Sequence, residues 1–407
     1  MNSSDIPSEA SERFRHIVWP FAVAETIVWA SFYYLFPALL PEWEKALGWS
    51  RTELSAAFSS ALVVSAVLAP SVGHLIDRGL SRFVFTGSAV LGAVMLVLLS
   101  QVTELWQFFA VWIGLGVAMS GALYEACFAI VTRSMGQNSK RAITLVTLVA
   151  GFAGTVSFPT AHAFVGIIGW RGAVLVFAVA VIAIAAPLLW YGCHHAERHF
   201  KDTAELQDDN PERVRQVLRS PTFWLLVISF TAIAVEHGGI ITHIRPLLED
   251  RGIHEQAAIL AASMIGPMQV TGRLAMMAAE RHVSIFAIAI GCFLGMAGAA
   301  VCLLFAGGTA GLIVAFVILH GSAYGVTSIV RPVITAELLG RQGFGVVSGM
   351  IALPFMLGYA AAPTVTSLAW EAGGYDLVIG SAIVIVGIGM LTFLAARKTS
   401  ERIGATK

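Results

Sequence analysis

Long apolar runs separated by short polar gaps pattern this chain. Twelve runs cover residues 17–41, 54–76, 82–101, 105–132, 141–166, 171–192, 222–248, 256–279, 283–305, 310–336, 344–369 and 376–396. A helix needs about 20 apolar residues to cross a hydrocarbon core about 30 Å thick. Each run therefore predicts one membrane-spanning helix, and the short gaps predict helical hairpins. One gap differs: residues 193–220, CHHAERHFKDTAELQDDNPERVRQVLRS, are polar and highly charged. The pattern predicts an all-α membrane protein of twelve transmembrane helices. They fall into a six-helix half at 1–192 and another at 221–407, joined by the 193–220 linker.

The halves also repeat one another. Sliding the chain by 204 residues lays Gly48 on Gly252, Gly121 on Gly325, Gly136 on Gly340, Gly154 on Gly358 and Gly169 on Gly373, and Pro159 on Pro363. Span four then lies over span ten and span five over span eleven. Two parallel, pseudo-symmetric halves are the layout of a transporter that alternates access by rocking one half against the other.

Composition agrees with a bilayer environment. Of 407 residues, 57% are hydrophobic and 12% charged, against about 25% charged in soluble proteins. The net charge is zero, so no basic field points to nucleic acid. The opening MNSSDIPSEASERFR has no apolar stretch of the kind a cleavable signal needs, which predicts a retained first span. With the N-terminus in the cytoplasm, eighteen Lys and Arg residues fall on the cytoplasmic side and five, Lys45, Arg51, Arg171, Arg245 and Arg251, fall outside. By the positive-inside rule this predicts an inner (plasma) membrane protein with both termini cytoplasmic. Cys127, Cys193, Cys292 and Cys302 form no paired motif and read as small buried hydrophobes. His194, His195 and His199 in the linker read as a solvated face, so no cofactor or metal is expected. GCFLG at 291–295 has the small-xxx-small spacing of close helix packing.

At the loop after span two the sequence reads GHLIDRGLSR (73–82). This resembles the signature G-x-x-x-D-R/K-x-G-R/K-R/K of the major facilitator superfamily, with Gly73, Asp77, Arg78 and Arg82 in register. Gly79 arrives one place early, and Leu80 and Ser81 depart from the pattern. The resemblance implies that Asp77 and Arg78 serve conformational switching. GWSRTELSAAFS, IGPMQVTGRLAMM and GWRGAVLVFA are similar to the monocarboxylate and oxalate/formate branch of that family. In that branch an arginine of span eight receives the substrate carboxylate, and Arg273 matches it. Span eleven carries no cation, which argues against a dicarboxylate. ALYEACFAI, LVAGFAGTVSFPTA and SIVRPVITAELLG also resemble permeases for arsenite efflux.

Ionisable residues inside the spans are costly in hydrocarbon and mark candidate function. They are Glu25 in span one, Glu125 in span four, Glu236 and His237 in span seven, Arg273 in span eight and Arg331 in span ten. The resemblance implies that spans one, four, seven and ten line a central cavity, and four of the five spans named are these. Glu236 with His237, near mid-span, reads as a protonation site, since low dielectric favours a neutral carboxyl and histidine titrates near neutrality. The alternative is a pair bonded to neighbouring backbone. Arg273 reads as an anion receptor or as a salt bridge between helices. Arg331, before Pro332, is either a gate or a snorkelling cation. Glu25, Trp29 and Tyr33 share one helical face as a cavity wall, or are ordinary membrane-helix residues. Glu125 and Arg331 are expected to approach when the cytoplasmic side closes, and Glu125 is also a candidate for proton coupling. His162, His243 and His320 are secondary cavity candidates.

The expected function is secondary active transport of a small organic solute, a proton-coupled monocarboxylate-type anion, by alternating access. No ATP-binding GxxxxGK[ST] loop is present. Export of a toxic solute, arsenite or drug-like, is the alternative. Neither an HExxH helix, a GxSxG elbow nor an appended domain speaks for an enzyme or a receptor. The expected partners are solute, protons and lipid bilayer, with the chain acting as a monomer.

Overall fold

The computed structural model describes residues 12–198, 211–307, 309–340 and 344–405, and every regular element among them is a helix. Nine helices among the described residues are long and apolar enough to cross a membrane. Two of these, Arg141–Glu197 and Gly349–Ser400, each cover two of the expected spans, which meet where glycine leaves helical geometry, at Gly169 and at Gly373–Gly374. Glu255–Ala279, at 25 residues, is also of membrane length, although it carries Gln256, Gln269 and Arg273. The architecture is consistent with the twelve expected spans.

The ends of the rods are written locally. Ser50 and Glu53 form a reciprocal capping box before Arg51–Leu75, with the Ser50 N–H donating to Glu53 at 2.8 Å and Glu53 N–H donating to Ser50 at 3.2 Å. Ser220 and Ser284 cap Pro221–Thr242 and Ile285–Leu304 by accepting from Phe223 and Ala287. Each cap satisfies an amide that has no intrahelical partner.

Four spans are interrupted among the described residues, span five at Gly151 and Phe152, between Ser139–Ala150 and Ala153–Ala180. Span one is Trp19–Phe32 followed by Leu35–Leu47, meeting at Tyr33 and Tyr34. Span four is Leu105–Ala122 followed by Tyr124–Met135, meeting at Leu123. Span seven is Pro221–Thr242 followed by Ile244–Asp250, meeting at His243. In the expected linker, Cys193 continues the helix Ala186–Glu197 and Pro211–Arg219 forms a separate short helix. Residues 199–210, including His199, lie outside the described residues.

The chain divides into two compact units, Met1–Glu205 and Leu206–Lys407. In the first, Phe36 stacks on Phe58 with centroids 4.3 Å apart, and Trp43, Phe108 and Trp112 close around them. In the second, Phe223, Phe230, Phe293, Met296, Val330 and Phe393 belong to one buried cluster. Both units use glycine to bring backbones together. A Cβ on Gly116 would strike the backbone of Ala61, drawing span four onto span two. Gly321 lies against Ile265, Gly272 against Ser322 and Gly325 against Gln269, drawing span ten onto span eight. A shift of 204 carries Ala61 onto Ile265 and Gly116 onto the neighbour of Gly321, so the same seam occurs in each unit. In GCFLG, Gly295 faces Ala323 of span ten, but Gly291 meets nothing, so only one of the two glycines serves helix packing.

Burial is inverted relative to a soluble protein. Val67, Ile167 and Leu391 are 63%, 76% and 65% exposed, whereas Glu25, Glu236, His237 and His320 are at most 3% exposed. Apolar surface facing outward and polar groups facing inward is the arrangement a bilayer selects.

Candidate functional site

In the second unit three ionisable side chains meet in the buried interior. His237 Nδ1 and His320 Nε2 are 2.9 Å apart, so one imidazole donates to the other. His320 Nδ1 is 3.5 Å from Glu236 Oε1. Neither that nitrogen nor either Glu236 oxygen has a hydrogen-bond partner among the described residues. The row Glu236, His320, His237 thus holds one formed hydrogen bond and one gap of a few tenths of an ångström. A proton carried by the carboxyl or the imidazole would close that gap.

Aromatic side chains and glycines hold the row in place. Tyr324, one turn beyond His320 on span ten, stacks on His237, and Phe316, one turn before, flanks His320 at 5.3 Å. Behind Glu236, Gly238 and Gly239 leave room for Tyr359, Ala362 and Thr366 of span eleven. A side chain at either glycine would push span seven away and pull His237 out of line.

Arg273 is buried in span eight, where its Nε donates to the Gly325 carbonyl at 2.9 Å. Ser328 donates to the same oxygen. Gln269, one turn earlier, is buried as well, and its Nε2 has no partner among the described residues. The guanidinium therefore belongs to the seam between spans eight and ten that Gly272, Gly321 and Gly325 allow. Arg331 sits with its guanidinium carbon 4.2 Å from the centre of the Phe355 ring, a cation–π contact from span ten to span eleven.

The first unit holds the acidic pair. Glu25 is fully buried, and neither of its oxygens has a well-formed hydrogen bond among the described residues. The Cys127 thiol and Trp29 indole lie beside it, and the charge of Glu125 is close enough to act on it. Glu125 itself is exposed. The break at Leu123 (φ −107°, ψ −170°) puts Glu125 in the first turn of Tyr124–Met135, where unpaired amides and the helix dipole favour a carboxylate. Trp29 lies 4.7 Å from Tyr124, which stacks on Phe128, so aromatic faces line the approach to the acidic pair. Along the expected stripe Trp29 lies beside Glu25 and its ring is 5.5 Å from that of Tyr33, the residue at which the helix ends. Tyr33 turns into a buried aromatic contact with Tyr34 and Phe58.

At the expected switching loop the backbone turns through Ile76–Leu80, with Gly79 at φ 83°. The Asp77 side chain lies outside the described residues, and Arg78 is exposed. Arg133, at the end of span four, donates to the Ile76 carbonyl at 2.7 Å and ties the two spans together. Arg133 escaped the sequence reading because a loop arginine at that position looks like any positive-inside charge.

His320 entered that reading only as one of three similar histidines. The structure separates them. His243 is buried against Ser367 and Tyr375, while His162 is half-buried. His320 lies 83 residues from His237, so nothing local in the sequence announces their pairing.

A sequence profile of the Major Facilitator Superfamily matches residues 21–363. The fold is similar to that of a bacterial homologue of the human lysosomal transporter Spinster, solved in an inward-facing, occupied state. The TM-score is 0.68 at 14% identity, over 94% of this chain and 96% of the other. It is also similar to the nucleoside transporter NupG, with TM-score 0.72 at 14% identity over 94% and 98%. No curated protein sequence matches significantly.

Proposed function

This chain belongs to the major facilitator superfamily, and from that premise we propose that it is a secondary active transporter that couples proton movement to passage of a small monoanionic carboxylate. The observation that carries the coupling is the buried row Glu236, His320, His237. A titratable carboxyl beside two imidazoles can load, pass and release a proton without leaving a bare charge in hydrocarbon. Arg273 supplies the permanent positive charge that a carboxylate requires. The resemblance of its span to the monocarboxylate branch supports this role. Asp77 and Arg78 are the switching residues in this reading, with Arg133 bracing their turn. Both termini are cytoplasmic, and the membrane is the inner (plasma) membrane.

The test is uptake into proteoliposomes under an imposed pH gradient, with monocarboxylates screened beside arsenite. Gradient-driven accumulation of a lactate-like anion is expected. If such anions neither move nor compete, the carboxylate reading fails. A second reading, export of a drug-like compound bearing positive charge, is favoured by the Glu25–Glu125 pair with its aromatic surroundings. Transport of cationic dyes and not of carboxylates in the same assay would select it.

A further inference from the structure

At the end of the first unit that carries the N-terminal helix, Arg82, Pro187, Trp190, Tyr191, His194 and His195 line an open groove of about 530 Å³. The Arg82 guanidinium lies over Trp190 at 4.6 Å and Phe83 at 5.1 Å. Its edge is poorly served. His194 is approached by Arg198 at 2.7 Å on Nε2 and by Arg82 at 3.5 Å on Nδ1. Guanidinium groups only donate, and a neutral imidazole accepts at one nitrogen only. The two contacts cannot both be hydrogen bonds, and the shorter one belongs to Arg198. Arg82 Nε is buried and has no hydrogen-bond partner among the described residues. Glu197 is 3.9 Å from that nitrogen and accepts instead from the Arg82 backbone N–H at 3.0 Å. An anionic oxygen in the groove would bond the terminal nitrogens of Arg82, whose side chain is 27% exposed, and not the enclosed Nε.

The walls say which anion. Phe83, Trp190 and Tyr191 are 59%, 43% and 41% exposed. They stand where the apolar spans Arg78–Leu99 and Arg141–Glu197 give way to charge. Aromatic rings at that depth sit at the headgroup level of a bilayer. Around them the end is basic: Arg198 borders His194, His16 bonds Tyr191 at 2.6 Å, and Arg141 lies over Phe14. A free phosphate would use the cations and leave the aromatic faces unoccupied. A phospholipid would use both, with its phosphate on Arg82 and its acyl chains against Pro187, Trp190 and Phe83. We infer that this groove is a specific seat for an anionic phospholipid of the adjoining leaflet, independent of whatever solute the protein carries.

Native mass spectrometry of the full-length protein tests this, using phosphatidylglycerol and phosphatidylcholine of matched chains. Retention of phosphatidylglycerol should exceed that of phosphatidylcholine by about fivefold, the preference one interfacial cation gives. Arg82→Gln should bring the two lipids level. Trp190→Ala, at a half-exposed position, removes the stacking platform and provides a second variant if the first does not fold; it should reduce the preference too. Inorganic phosphate should not displace the bound lipid. Equal retention by the wild type, or an unchanged preference in either folded variant, overturns the inference. Displacement by phosphate also overturns it, and makes the groove a site for soluble anions.

Discussion

A carboxyl as deeply buried as Glu236 survives in hydrocarbon only when it is neutral or paired. Its nearest help is an imidazole 3.5 Å away. That distance makes the side chain a proton exchanger in the proposed mechanism and gives a sharp expectation. Glu236→Gln keeps the shape but cannot cycle a proton. It should abolish pH-driven accumulation in proteoliposomes while leaving solute exchange down its own gradient. His320→Asn should behave the same way, because it breaks the row in the middle. Retained accumulation in both variants would remove the row from the coupling step. Arg273→Lys keeps the charge but loses the planar fork. A charge-assisted hydrogen bond is worth about 1.5–3 kcal/mol, so the apparent affinity for a carboxylate should fall at least about tenfold. The seam bond to Gly325 is the reason to check folding in parallel. Unchanged affinity would leave Arg273 with a structural role only.

At the scale of helices, glycine serves two different purposes that a substitution can tell apart. Gly48 and Gly252 match under the 204-residue shift, and both are left-handed, at φ 71° and 79°. Gly136 and Gly340 match and are again positive, at 52° and 88°. Nothing surrounds Gly48 within 4 Å, so Gly48→Ala should cost only the conformational penalty, about 1–2 kcal/mol. Gly325 has helical geometry but faces the Gln269 backbone. There Gly325→Val must force spans eight and ten apart, at about 1–3 kcal/mol by overpacking, and should also disturb Arg273. Thermal unfolding in detergent checks both stabilities. Substrate affinity, lowered only by Gly325→Val, separates the two mechanisms. The breaks in spans one, four and seven were not legible in the same way. Tyr33, Leu123 and His243 are neither glycine nor proline, and their runs stay apolar across the break. For two of them the signal lies a turn downstream: Pro37 and Pro246 have no amide to donate to the carbonyls of Tyr33 and Thr242, four residues earlier, so the helix cannot run straight through.

At the scale of the molecule, the distribution of charge along the chain carries its own prediction. Eighteen Lys and Arg residues against five predict that both termini are cytoplasmic. Green fluorescent protein fused after Lys407 should therefore fold and fluoresce, as it does only in the cytoplasm. A dark fusion of a stably expressed protein would reverse the orientation. Inverting the pH gradient across proteoliposomes should likewise invert the direction of net flux if the proposed proton coupling drives it.

The sequence by itself determined the helical, membrane-embedded architecture and its two-fold repetition. Hydrocarbon thickness, backbone hydrogen bonding and the positive-φ demand of a few glycines act on short stretches, and short stretches spell them out. It also named the residues too costly to be in a membrane by accident. Only the tertiary structure decided which of them meet. Glu236 found His320 and not His162 or His243, Glu25 came to rest beside Cys127 and Glu125, and Arg273 was tied to Gly325. Such meetings depend on the rotation and register of packed helices. Those are set by side-chain volumes summed over whole seams, and no local pattern records them.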